Sequence, residues 1–233
     1  MKNTQMQDFL REVKVAVRNS KADAVSQRRC FKKGYSFSKF PLNKQVAIWD
    51  YIWLNEKDFW IKVQAFFFCE TTLKKDADLL YIWPVIRKWQ DQVDHWGLCD
   101  CLAKIYSKVL ELDPEQVYPL LMEWNKSGDA WKRRQSLTSL VYYASVRKSV
   151  LPFTQIEAPI SQLISDPEYY VQKALGWTIR ELTVCYPEEA WKYLLEQSTL
   201  ISSIAYPAAT AKLTPQQKST IKQIRATSRK GKP

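Results

Sequence analysis

Glycine is scarce: 5 residues in 233, where average usage of about 7% would give roughly 16. A chain so poor in the residue that permits positive φ has little material for a phosphate-cradling glycine loop or a many-turned β-sandwich. Histidine is scarcer still, with one in the chain, and the five cysteines at 30, 69, 99, 101 and 185 form no Cys-x-x-Cys pair. A zinc site of the usual ligand set needs more, so no metal and no other cofactor is expected, and the odd thiol count points to a reducing compartment. Long apolar runs are missing too. Ala65 to Cys69 and Leu79 to Ile86 fall far short of the roughly 20 residues that cross a bilayer. The opening, MKNTQMQDFLREVK, mixes charge and polarity where a signal peptide has an unbroken apolar stretch. The expected location is the cytoplasm.

What the chain does have is positive charge. Lys and Arg number 35 against 24 Asp and Glu, a formal net charge of +11. Such an excess attracts polyanions through counterion release, so nucleic acid leads the expected partners and an anionic membrane surface follows; a merely basic soluble protein stays open on charge alone. With 46% hydrophobic and 25% charged residues, the composition is that of an ordinary globule rather than a disordered chain.

Helical periodicity dominates. Phe9, Val13, Ala16 and Val17 share one face of a first helix, while Arg11, Lys14, Arg18 and Lys21 form a basic stripe on another, either a polyanion contact or simply a solvated face. Punctuation by Gly34, by Asp113-Pro114-Glu115, by Asp166-Pro167-Glu168 and by Thr214-Pro215 brackets further helices. The ranges are about 23–33, 42–54, 57–73, 77–93, 96–111, 114–126, 129–149, 155–165, 167–186, 187–198, 203–212 and 215–227. Prolines 84, 119, 159 and 207 should kink or break the helices that hold them. Nothing reads as a strand. The segments that hold Trp60, Trp131 and Tyr170 superpose, and with Trp96 added the four aromatics are spaced 36, 35 and 39 residues apart. That is near the period of helix-pair repeats. The expected fold is all-α, a right-handed solenoid of HEAT-like antiparallel helix pairs with a concave basic face. It spans 1–227 as one domain, with 228–233 a basic, frayed tail.

Three segments could carry chemistry. In Trp96-Gly-Leu-Cys-Asp100, an indole and a carboxylate four apart share one helix face. A core tryptophan with an aspartate that pairs with a lysine or caps a neighbour fits that spacing as well. Trp131-Lys132-Arg133-Arg134 puts three cations in the first turn of a helix, where the dipole disfavours them and an anionic partner would explain them. Lys173-Ala-Leu-Gly176-Trp177-Thr-Ile-Arg180-Glu181 keeps a glycine inside a strong helix at about 1 kcal/mol against alanine, a cost that close approach of another helix or a ligand would justify.

Together these segments, with Arg29-Cys-Phe31-Lys32-Lys-Gly34 near the start and Ala208-Ala-Thr-Ala-Lys212-Leu213 near the end, resemble the AlkD-like DNA alkylation repair proteins, DNA glycosylases built from HEAT-like helical repeats. The resemblance implies excision of cationic alkylated purines, 7-methylguanine and 3-methyladenine, from duplex DNA during base excision repair, by a monofunctional N-glycosylase that is a monomer without cofactor. It places Asp100 as the carboxylate that stabilises the developing oxocarbenium ion. Trp96 and Trp177 would be the aromatic faces flanking the sugar and backbone. Arg134, seconded by Arg133, would grip a phosphate, with Lys132, Lys173 and Arg180 as further DNA contacts. When DNA-bound the protein would be nucleoid-associated. The competing reading is a HEAT-like scaffold that binds DNA structures or protein without catalysis.

Overall fold

The computed structural model describes Met1 and residues 3–230. Among these residues all regular structure is helical: thirteen α-helices and two short 3₁₀ segments, Arg87–Gln92 and Ala144–Val146. The helices are α1 (Asn3–Arg18), α2 (Ala24–Lys33), α3 (Leu42–Asn55), α4 (Phe59–Thr72), α5 (Asp76–Ile86), α6 (Trp96–Leu112) and α7 (Pro114–Asn125). There follow α8 (Ala130–Val141), α9 (Phe153–Gln162), α10 (Tyr169–Cys185), α11 (Pro187–Gln197), α12 (Tyr206–Ala209) and α13 (Pro215–Lys230). The periodic aromatics mark the repeat. Trp60, Trp96, Trp131 and Tyr170 each fall at the first or second residue of every other helix, α4, α6, α8 and α10.

The chain divides into two compact units, Met1–Ile105 and a second from Tyr106 onward. In the first, α4 is the inner helix, buried almost without interruption from Ile61 to Cys69. Aromatic rings fill the space around it: Phe37 lies 5.1 Å from Phe9 and 5.2 Å from Trp49, and Trp53 stacks on Trp89 at 4.6 Å. Both buried indoles satisfy their N–H groups, Trp53 on the Trp89 carbonyl at 3.1 Å and Trp89 on Asp50 at 2.8 Å, as a buried donor must. In the second unit the inner helices are α8, buried from Arg134 to Val141, and α10. Gly176 is the reason α10 can be crossed so closely. A Cβ there would stand 2.3 Å from the carbonyl oxygen of Ala205, so the expected close approach is by backbone.

Local signals explain most boundaries. Gly34 ends α2 at φ +84°, Asp113 accepts the Gln116 N–H at 3.1 Å to cap α7, and Thr214 and Gln217 exchange bonds of 3.2 and 3.0 Å as a capping box for α13. Two expectations are corrected. The helix expected over 129–149 stops at Val141, because Tyr142 takes a left-handed φ of +51° and the chain runs on to Pro152 as a 3₁₀ turn and extended backbone. The helix expected over 203–212 is one turn, opened by Pro207 in its first positions. Of the tail expected over 228–233, the residues through Lys230 continue α13, and 231–233 lie outside the described residues. No helix among the described residues is long and apolar enough to cross a membrane.

Candidate nucleic-acid interface

The first group of sequence-predicted residues sits at the start of α6. Trp96 is its first residue and is 45% exposed, a large apolar face left in solvent; Asp100 follows one turn later and is half-buried. The single histidine holds this helix end. His95 Nδ1 accepts the Gly97 N–H at 3.0 Å, the service a side-chain N-cap gives. Its ring lies 5.2 Å from Trp96 and edge-on to Phe59 at 5.0 Å. Gly97 exists for that packing: a Cβ there would meet Phe59 at 3.0 Å and His95 Nδ1 at 3.1 Å. An aromatic shelf of Phe59, His95 and Trp96 therefore fixes the approach to α6.

Asp100, Glu70, Arg28 and Lys104 all act electrostatically on one thiol. That thiol, Cys101 next to Asp100, is pushed up to about 12, by burial first and then by the negative charges of Asp100 and Glu70. Lys104, one turn beyond Asp100, reaches Glu70 at 2.5 Å, and Arg28 pairs with the same carboxylate. Sequence reasoning missed Lys62. This buried lysine donates to the Gln92 carbonyl at 2.9 Å and lies 5.0 Å from the centre of the Trp53 ring, tying down the segment that leads into α6. Burial lowers its pKa, with Asp94 and Glu56 pulling the other way. No sequence signal marks it, since a lysine in the first turns of an apolar helix reads as a surface cation.

The second group lies on α8 and α10. Arg133 turns to protein: its Nε donates to Asp166 at 2.6 Å and its Nη1 to the carbonyls of Ser127 and Gly128 at 2.9 and 3.0 Å. Arg134 is 4% exposed, with Nη1 donating to the Tyr170 carbonyl at 2.7 Å. The two arginines expected to grip phosphate thus make, in this conformation, the link between α8 and the start of α10. Trp131 joins that link, its ring 5.3 Å from Tyr170. Lys132 is half-buried and Lys173 exposed.

Trp177 is half-exposed on α10 among tyrosines the sequence did not single out, Tyr143 at 5.3 Å and Tyr142 at 5.8 Å. Arg180 lies over the Trp177 ring at 5.9 Å and donates to the buried Glu181 at 2.9 Å. Glu181 also accepts from Lys212 at 3.3 Å and from the Ala144 N–H at 3.1 Å. It thereby anchors the turn that presents Tyr143, which is 44% exposed. Positive φ at a bulky residue costs of order 1–3 kcal/mol and gathers at functional sites. Among the described residues Tyr142 is the non-glycine residue that adopts it.

Exposed aromatics interleaved with cations are what a nucleic-acid surface requires. Residues 5–213 match the family described as DNA alkylation repair enzyme. The chain belongs to that family: it is an enzyme of DNA alkylation repair, and DNA is its partner. The fold matches the crystal structure of AlkD2 from Streptococcus mutans, with a TM-score of 0.61 at 16% identity over 90% of this chain and 99% of that one. The crystal structure of smu.31 from Streptococcus mutans UA159 is similar at TM-score 0.48 and 18% identity, covering 91% of this chain and 96% of that chain. Among proteins of curated description, none matches.

Proposed function

We propose that the protein is a monofunctional glycosylase that hydrolyses the N-glycosidic bond of cationic alkylated purines, 7-methylguanine and 3-methyladenine, in duplex DNA. The observation that carries this reading is the start of α6, where a solvent-exposed Trp96 and the carboxylate of Asp100 stand one turn apart on a helix end held by His95 and Phe59. A cationic purine leaves with the bonding electron pair and becomes neutral, so it needs no strong general acid. The barrier lies in the positive charge that develops on the deoxyribose. A fixed carboxylate beside that sugar lowers it electrostatically and orients the water whose oxygen bonds to C1′. Trp96 offers an electron-rich face to the same cationic centre.

DNA backbone contact falls to cations and rings that reach the surface at least in part. On α10 these are Lys173, with Arg180 and Trp177 beside it. Lys132 on α8 joins them, while Arg133 and Arg134 organise the helix ends that present them. A lesion held by its backbone needs no deep base pocket, and selectivity then comes from the lability of the charged purine.

The test is release of free 7-methylguanine from methylated duplex DNA by the purified protein, with EDTA present. Base release above the spontaneous rate, leaving an abasic site and no borohydride-trapped adduct, is the expected outcome. DNA binding without base release would establish the scaffold reading instead.

A further inference from the structure

Within the second unit, the end of α6, the start of α7 and the segment 142–152 enclose a cavity of about 210 Å³, walled by Leu110, Leu140 and Pro152 and carrying Ser107, Glu111 and Arg147. One ring stands between it and the residues assigned above to DNA: Arg147 lies 5.9 Å from the Tyr142 ring, which lies 5.8 Å from Trp177. Two of the cavity's polar groups, Arg147 and Ser107, are unusual in being buried with atoms that make no hydrogen bond. The Arg147 side chain is 8% exposed, yet neither its Nε nor its Nη1 makes a hydrogen bond. Glu111 stands 3.9 Å from Nη1, too far for one. That carboxylate is already engaged by Lys108 at 3.0 Å and by the Lys148 N–H at 3.3 Å. Ser107, 2% exposed, also leaves its hydroxyl without a partner. Burial holds the Arg147 guanidinium below its ordinary pKa, against the pull of Glu111 and Tyr142.

Buried donors without acceptors are rare because each forfeits its hydration for nothing. Here they line one cavity with room for about seven waters at about 30 Å³ each. The charges of Lys108 and Arg147 against Glu111 leave one net positive, which suits a monoanion. A phosphate dianion would leave the cavity with one net negative charge. The remaining walls are apolar and suit a carbon body.

We propose that this cavity binds a small organic carboxylate, its head accepting from Arg147 and Ser107 and its apolar body lying against Leu110 and Leu140. The proposal does not depend on the glycosylase reading.

The experiment is a calorimetric titration of the full chain with 3-methylbutanoate, with 3-methylbutanol and inorganic phosphate in parallel. Saturable one-to-one binding of the carboxylate in the millimolar range is expected, and little of either control. Arg147→Gln should weaken it about tenfold or more. Ser107→Ala guards against a variant that fails to fold: it should weaken binding about threefold while raising the melting temperature of the free protein, since it removes an unmatched buried hydroxyl. Failure of the carboxylate to saturate, equal binding of the alcohol or of phosphate, or full affinity in both variants would overturn the proposal.

Discussion

The α6 end and the α8–α10 pair carry similar motifs, a tryptophan with charged residues at helical spacing, but treat them in opposite ways. At α6 the tryptophan is left exposed with its aspartate half-buried one turn on, and other residues, His95 and Phe59, keep the helix end in place. On α8 the motif's own arginines do the holding, Arg133 to Asp166 and Arg134 to the Tyr170 carbonyl, and the exposed groups lie on α10. A cation in a motif can therefore serve the partner directly or build the platform the partner meets, and burial decides which.

The largest stability effect expected from this contrast is at Gly176. Alanine there forces a Cβ against the Ala205 backbone, which a side-chain rotation cannot relieve, so Gly176→Ala should cost about 3 kcal/mol in denaturant unfolding. Alanine at Gly97 meets only the Phe59 ring and the His95 side chain and should cost clearly less; the reverse order would break the comparison. Next comes Arg134→Gln, which loses a buried charged donor and should destabilise by about 2 kcal/mol. If it instead left melting unchanged and weakened DNA binding alone, Arg134 would belong to the interface and not to the platform. His95→Ala should cost about 1 kcal/mol through loss of the α6 cap, with Asn restoring most of it. The smallest effect is at Lys173, where alanine should leave stability unchanged and lower DNA affinity a few-fold. It should also reduce the slope of log affinity against log salt by about 0.9, the signature of one phosphate contact.

The residues announced the helices and their repeat because periodic apolar faces, Asp and Thr caps and aromatic spacing are local signals, and local signals survive into this structure at Asp113, Thr214 and Trp60. The placement of Trp96 and Asp100 one turn apart on α6 was legible for the same reason: four residues along a helix fix a shared face. The protein partners of Arg133 and Arg134 were not legible, because Asp166 and Tyr170 lie 33 and 36 residues on in sequence. The turn at Tyr142 was hidden outright. Two tyrosines following a helical run carry no breaker, and their conformation is imposed by contacts from α10, through Glu181 on Ala144 and Trp177 on the tyrosine rings.

The central claim is that Asp100 stabilises the charge that develops as the base leaves. Wild type and Asp100→Asn should be compared for melting temperature, duplex affinity and single-turnover release of 7-methylguanine on the same preparations. The account predicts unchanged melting, affinity held or raised as an anion leaves the DNA-facing surface, and release slowed by roughly 10²-fold or more, about 2.7 kcal/mol of lost transition-state stabilisation. An active wild type whose Asp100→Asn variant releases base at the same rate, or loses activity only in proportion to its folded fraction, would contradict it.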